Sequence, residues 1–347
     1  MKKTFSTLVL LVLASFGLWA QIPNGYYNSA NGKTGDELKV ALHDIIKGHQ
    51  VVSYNGLLNA FAYTDCKPNG KIWDIYSNVE YSLNTGLCGE YEQEGDCWNR
   101  EHTWPQSWFN ESTTPRSDLF HVYPTDGFVN GQRSNYPYGE VNNPIYTSGN
   151  GSKLGPCVTS GYSGRVFEPI DEYKGDFARA IMYMSVRYFS EDGSWGSSDM
   201  TTKSEIKPWA IELLLRWNEL DPVSEKEKER NEAIYNDYQH NRNPFVDHPE
   251  YARMIWDSSW NVDEVQAVVY LFPNPVEPGQ TLHVSGNCND FDAIAIFDLC
   301  GHTLLKASGH AVGDFAVTLP NGFAKGCYIV KLMCNGAVVK YEKLLVK

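Results

Sequence analysis

The residues best suited to chemistry lie together in Asn99-Arg100-Glu101-His102-Thr103-Trp104-Pro105. A carboxylate and an imidazole are neighbours there, and Val129-Asn130-Gly131-Gln132-Arg133-Ser134-Asn135 follows downstream. His102 is the natural general base, because an unperturbed imidazole titrates near neutral pH. Glu101 and the side-chain oxygen of Asn130 are hard oxygen donors, the kind Mg²⁺ prefers while it keeps several waters. A base beside a hard cation is equipment for hydrolysing a phosphate ester. The base takes the proton of an attacking water, and the ion polarises the phosphate and stabilises the departing oxygen. Two protein ligands leave the rest of the shell to water and a substrate phosphate. Other hydrolytic patterns are missing: His-Glu-x-x-His does not occur. Ser160-Gly161-Tyr162-Ser163-Gly164, the nearest approach to a serine-hydrolase elbow, sits in a loop-like stretch.

The elements around these residues follow from local propensity. The residues up to Trp104 favour an extended segment, Asn110 to Ser117 is polar and turn-rich, and Leu119 to Tyr123 is extended again. Pro124 is expected to stop that strand. Thr125 to Ser134 is expected to form a short helix with Asp126 in its first turn. Strand, loop, strand, short helix places His102 on the first strand and Asn130 on the helix. One geometric difficulty remains: neighbours on a regular strand point to opposite faces. Glu101 and His102 can serve one site only where the strand ends or twists, and Pro105 supports an irregularity nearby.

Thr34-Gly35-Asp36-Glu37 has capping-box spacing, and apolar residues from Leu38 to Ile46 recur at helical spacing. Ile72 to Tyr76 reads as a strand, Val79 to Trp98 as a long exposed loop, and Asn135 to Pro156 as surface loop. Gly175-Asp176 opens a helix, Phe177 to Phe189, apolar on nearly every face and therefore buried. Arg179 and Arg187 inside it need partners. Pro208 opens a further helix, Trp209 to Leu220. Ser224 and Glu227 form a second capping box for a helix running to about Tyr238, and a short helix over Glu250 to Trp256 follows. Ser258 to Gln266 reads as a linker. Beyond it come short strands separated by Gly, Asn and Pro, with Asn335-Gly336 as a type I′ hairpin turn.

The chain has 347 residues, with 10 Trp, 21 Tyr and 15 Phe to fill a core. Its length suits more than one domain. Lys2-Lys3 ahead of an apolar run, with Ala20 before Gln21, reads as a secretory signal peptide too short to span a bilayer. Export would make the eight cysteines available for disulfides, four in each part of the chain. Cys88 with Cys97 is the first pairing to expect, since Gly89 and Gly95 can help close the short loop. The net charge of −13 argues against sequence-blind capture of nucleic acid by the whole surface, while leaving room for a local basic cleft.

Asn-Arg-Glu-His-x-Trp-Pro-x-Ser-Trp at 99–108 resembles the signature of the secreted bacterial endonuclease I family, with its ββα-metal (His-Me finger) site. Asp118 to Pro124, Val129 to Asn135, Phe167-Glu168-Pro169, Gly175 to Ala180 and Asn241-Arg242-Asn243-Pro244-Phe245 extend the likeness, in order, over most of 25–257. The resemblance implies His102 as general base and Glu101 and Asn130 as Mg²⁺ ligands. It also implies cleavage of DNA, often RNA as well, to 5′-phosphate ends. It implies a phosphate-stabilising arginine too, for which Arg133, Arg179 and Arg242 are candidates in that order. His121 and Asn241 are further candidates for substrate contact. Where the family commonly has His, this chain has Phe120. Leu271-Phe272-Pro273-Asn274-Pro275, Lys325 to Lys331 and Glu342 to Lys347 resemble the C-terminal sorting domain of type IX secretion.

These readings combine into an α+β chain: signal peptide 1–20, nuclease domain 21–262 carrying the ββα-metal motif, and linker with all-β sandwich 263–347. The expected protein is a monomer, secreted or held at the cell surface, and Mg²⁺-dependent with Mn²⁺ or Ca²⁺ as alternatives. It would act on DNA, with RNA open, and engage secretion machinery through its last domain. Two rivals stand beside it: a catalytically inactive surface-binding or adhesion protein, and a phosphodiesterase for small substrates.

Overall fold

The computed structural model describes residues 22–257, 269–286, 290–298, 301–312, 315–334 and 337–347. The signal-peptide, linker and Asn335-Gly336 turn readings fall outside these. The chain divides into two compact units at Trp260/Asn261.

The first unit opens with α1 (Gly35–Ile46), as its apolar spacing predicts, although Thr34 makes no side-chain cap. α2 (Leu57–Thr64) was not foreseen; it is short and apolar enough to pass for a strand. Ile72 to Tyr76 is a loop with only isolated bridges, not a strand. The reason is Asp74. Its carboxylate accepts the backbone N–H groups of Tyr76, Ser77 and Asp126 and the hydroxyls of Ser77 and Thr125. A compact carboxylate-centred loop thus occupies the edge that a further strand would have paired. Next come β1 (Trp98–His102), α3 (Thr113–Arg116), β2 (Val122–Asp126) and α4 (Gly127–Arg133). β1 and β2 are antiparallel, with Arg100 opposite Pro124 and His102 opposite Val122.

Pro124 therefore sits inside its strand rather than stopping it. The carbonyl of Arg100 faces away from β2, toward Asn130, so Arg100 and Pro124 form a pair that exchanges no ladder bonds. The missing N–H of Pro124 faces the outer edge of a two-stranded sheet, where proline is tolerated.

The stretch Asn135 to Pro156 is not all loop. β3 (Tyr146–Thr147) and β4 (Lys153–Pro156) lie there and form a sheet with β5 (Arg165–Glu168) in the order β3-β4-β5. The central helix α5 begins earlier than glycine spacing suggests, spanning Asp171–Arg187. It is buried on nearly every face from Tyr173 on, as its composition requires. The small hairpin β6 (Thr201–Thr202) and β7 (Glu205–Ile206) precedes α6 (Pro208–Leu220), which packs on α5. α7 (Glu225–Ala233) carries the complete Ser224–Glu227 capping box and runs into a π-helical turn over Ile234–Tyr238. α8 (Pro244–Asp247) and α9 (Tyr251–Trp256) complete the unit.

The second unit is all β. β8 (Val269–Phe272), β9 (Thr281–Gly286) and β12 (Phe315–Thr318) form one sheet in the order β12-β9-β8. β10 (Asp290–Phe297), β11 (Thr303–Val312), β13 (Gly326–Cys334) and β14 (Ala337–Val346) form the other, in the order β11-β10-β13-β14. Leu282, Val284 and Phe315 of the first sheet share a core with Ile294, Ile296, Val330 and Leu344 of the second. That is the alternation expected of two packed sheets.

Candidate active site at the end of the first strand

α4 is fastened to the free edge of β1. Asp126 caps the helix by accepting from the Val129 N–H, fixing where it starts. Asn130 and Arg133, one turn apart, then face the strand. The Asn130 amide nitrogen donates to the Asn99 side-chain oxygen (2.7 Å) and the Arg100 carbonyl (3.2 Å). Arg133 donates to the carbonyls of His102 (3.0 Å) and Thr103 (2.7 Å). The carbonyls that β1 cannot offer to β2 are thereby satisfied.

Strand alternation sorts the site into two faces. Glu101 is 1% exposed, and its Oε1 accepts from the hydroxyls of Tyr76 (2.8 Å) and Tyr138 (3.1 Å). Arg133 lies 3.3 Å from the same oxygen. Arg100 and His102 share the other face, where both meet the ring of Tyr54. Glu101 and His102 consequently do not point the same way. β1 stops at His102.

His102 is 4% exposed, and its Nε2 lies 2.9 Å from the Arg116 carbonyl. A carbonyl can only accept, so Nε2 carries the proton and Nδ1 the lone pair. Burial pushes the imidazole down to about 3. Nearby His121 and the Arg116 charge push the same way, while the Arg116 and Arg100 carbonyls oppose them. His102 is therefore neutral at physiological pH, the form a base must have. The His121 ring lies 5.5 Å away and is fully buried. It donates from Nε2 to the Pro115 carbonyl at 2.6 Å, and its Nδ1 has no partner. Burial holds it down at about 4, against the pull of Asp118.

Among the described residues, no group of three His, Cys, Asp or Glu side chains stands ready for a metal. The donors on offer are Oε2 of Glu101 and Oδ1 of Asn130, both outside the hydrogen bonds just described. One carboxylate and one amide oxygen fit a hard cation completed by water and phosphate, and do not fit zinc.

The expected arginines are placed differently from their sequence reading. Arg133 joins the site but is 1% exposed, with its donors on strand carbonyls and its charge against Glu101. Arg179 pairs with Glu227 and binds Asn218, and Arg242 pairs with Glu232 and Asp247. Asn241 donates to the Ile46 carbonyl and the Tyr183 hydroxyl. Among the described residues, none of these partners is also a partner of His102, Glu101 or Asn130. Motif order made the three attractive, yet their polar groups build the frame. Phe120 is core, packed 4.7 Å from the Tyr183 ring. The guanidiniums beside His102 are those of Arg100 and Arg116. Period-two spacing from His102 points to Arg100; Arg116 arrives at the end of the short helix α3 and carries no local signal.

The Endonuclease I family profile matches residues 34–250. The chain belongs to the Endonuclease I family. An extracellular ribonuclease of Bacillus subtilis (strain 168) is 40% identical over 67% of this chain and 78% of its own. The extracellular ribonuclease of Bacillus amyloliquefaciens is 42% identical over the same shares. An extracellular deoxyribonuclease of Aeromonas hydrophila is 24% identical over 62% of this chain and 89% of its own. The chain is thus a nuclease, and the inactive binding-protein reading loses its ground. Cys88 and Cys97 form the expected disulfide, while Cys66, Cys157 and Cys327 have no disulfide partner among the described residues.

Proposed function

We propose that this protein is an exported, divalent-metal-dependent endonuclease hydrolysing phosphodiester bonds of DNA and RNA to 5′-phosphate ends, with His102 as general base. One observation carries the reading. A neutral imidazole, oriented by the Arg116 carbonyl, stands at the strand end with two guanidiniums beside it. In this reading Nδ1 of His102 takes the proton of the attacking water. Arg100 and Arg116 hold the phosphate by charge-assisted hydrogen bonds. Glu101 and Asn130 would hold Mg²⁺, with Arg133 and two tyrosine hydroxyls fixing the carboxylate. When bound, the ion supplies positive charge to the departing 3′ oxygen.

Relatives called extracellular ribonuclease and extracellular deoxyribonuclease support both substrates and export. No described helix is long and apolar enough to cross a membrane. The C-terminal β unit serves as the sorting domain in this account. Deleting 263–347 would leave the enzyme inside the cell, and unchanged export would rule that role out.

The test is cleavage of supercoiled plasmid and of a structured RNA by the purified protein. Cutting of both in Mg²⁺, stopped by EDTA, is expected. Hydrolysis of a chromogenic phosphodiester with both polynucleotides intact would favour the small-substrate reading instead.

A further inference from the structure

Two half-buried arginines beside His102 lack what the fully buried arginines have. The chain carries 42 acidic residues against 29 basic ones, and its guanidiniums generally find carboxylates: Arg179 has Glu227, Arg230 has Asp65, Arg242 has Asp247. Among the described residues, Arg100 and Arg116 make no ion pair. Both instead lie on one ring, that of Tyr54, with Cζ 4.4 and 4.3 Å from its centroid. The His102 imidazole stacks with the same ring at 6.1 Å and 20°. Nε of Arg100 is buried without a hydrogen-bond partner, and Nε of Arg116 donates to Gln106 at 2.8 Å.

An aromatic face attracts a guanidinium through its quadrupole but offers no acceptor oxygen. A carboxylate in the same place would saturate the donor fork and neutralise the charge. Tyr54 does neither. It gathers two like charges that would otherwise repel, and leaves both able to bind an anion. Tyr54 lies in the turn just before α2, which packs on α7, so the ring is supported from outside the strand it serves.

We propose that Tyr54 is a positioning residue that holds Arg100 and Arg116 beside His102 in the free enzyme, so that a nucleic-acid phosphate meets a preassembled cationic cradle. The proposal rests on the nuclease reading above and adds a residue to it. Tyr54 acts through the arginines, with its ring face rather than its hydroxyl.

The experiment is fluorescence anisotropy of a labelled single-stranded DNA 12-mer with the full chain in EDTA, paired with steady-state cleavage in Mg²⁺. Tyr54→Leu is expected to weaken binding about fivefold, the worth of one cation–π contact near 1 kcal/mol. KM should rise while kcat changes less. Tyr54→Phe should behave as wild type. Adding Arg100→Met to Tyr54→Leu should cost less than the sum of the two single changes, because both remove one arrangement. Wild-type affinity in Tyr54→Leu would overturn the proposal. So would equal weakening in Tyr54→Phe, or strict additivity with Arg100→Met. Should Tyr54→Leu fail to fold, Tyr54→Phe and Arg100→Met decide: wild-type binding by the first with weakened binding by the second supports the cradle, and any other pair of results overturns it. Activity surviving in His102→Ala would sink the nuclease mechanism instead, whatever Tyr54 does.

Discussion

Arg133 belongs to the site without facing its substrate. Its guanidinium is the counter-charge of buried Glu101 and the clasp of the strand end. Removing one partner of a buried pair strands the other, which costs about 3–5 kcal/mol. Arg133→Met is therefore expected to lower the unfolding free energy by that order, read as a lower urea midpoint at unchanged slope. Arg100, half-buried and without an ion pair among the described residues, should on change to Met leave the midpoint near wild type and weaken nucleic-acid binding. An Arg133→Met protein with wild-type stability and lost binding would contradict this division. Glu101, His102 and Asn130 could be picked out in the sequence as candidates, by residue type together with the family resemblance, and the structure lays Asn130 against β1. The division of labour among arginines was not legible in the sequence, since it depends on which carbonyl or carboxylate each one reaches across long sequence separations. Glu227 lies 48 residues from Arg179 and His102 lies 31 from Arg133.

At the scale of elements, the strand–strand–helix order could be read from Asn99 to Asn135 because a capping aspartate and a helix signal follow an extended run. Pro124 misled, because proline stops a strand only where its N–H would be needed. Ile72 to Tyr76 misled for the opposite reason: its apolar residues pack in the core while Asp74 folds the backbone around itself. The position of α4 also depends on the loop closed by Cys88 and Cys97. A Cβ at Gly131 would overlap the Tyr91 ring, and one at Gly127 would press on the same ring. Gly131→Ala is thus expected to displace α4 with its Asn130 and reduce cleavage at least tenfold. Tyr91→Ala in the same chain should recover most of the loss. Equal activity in Gly131→Ala and wild type would show that the loop does not set the helix.

For the molecule as a whole, buried histidines tie stability to pH. Burial holds His49 below its ordinary range, and Arg187 donates to its Nδ1 at 2.9 Å. His121 is held at about 4. A histidine depressed on folding contributes stability that is complete above its unfolded value near 6.5 and is lost as pH falls below it. Buried carboxylates act on the other side. Burial raises Asp74 and Asp221 to about 6 and Glu227 to about 7, so their contribution is lost as pH rises through those values. Because the two sets oppose each other between pH 7 and pH 5, the histidine share is read by difference: the thermal midpoint of His49→Gln is expected to fall less, or rise more, on acidification than that of the wild type. The same pH dependence in both proteins would contradict the burial of a neutral His49. The net charge of −13 adds a second expectation. With the overall field repelling polynucleotides, capture falls to a few arginines, so affinity should drop only modestly with salt, with a log–log slope of about −2 for two phosphate contacts.

The central claim, that His102 is the base of a metal-dependent nuclease, is tested most directly by His102→Ala in the full chain, assayed for plasmid cleavage with Mg²⁺ present. Loss of a positioned base predicts a rate lower by about 10²–10⁴-fold, with the thermal midpoint showing the protein folded. Cleavage by His102→Ala at the wild-type rate would contradict the account.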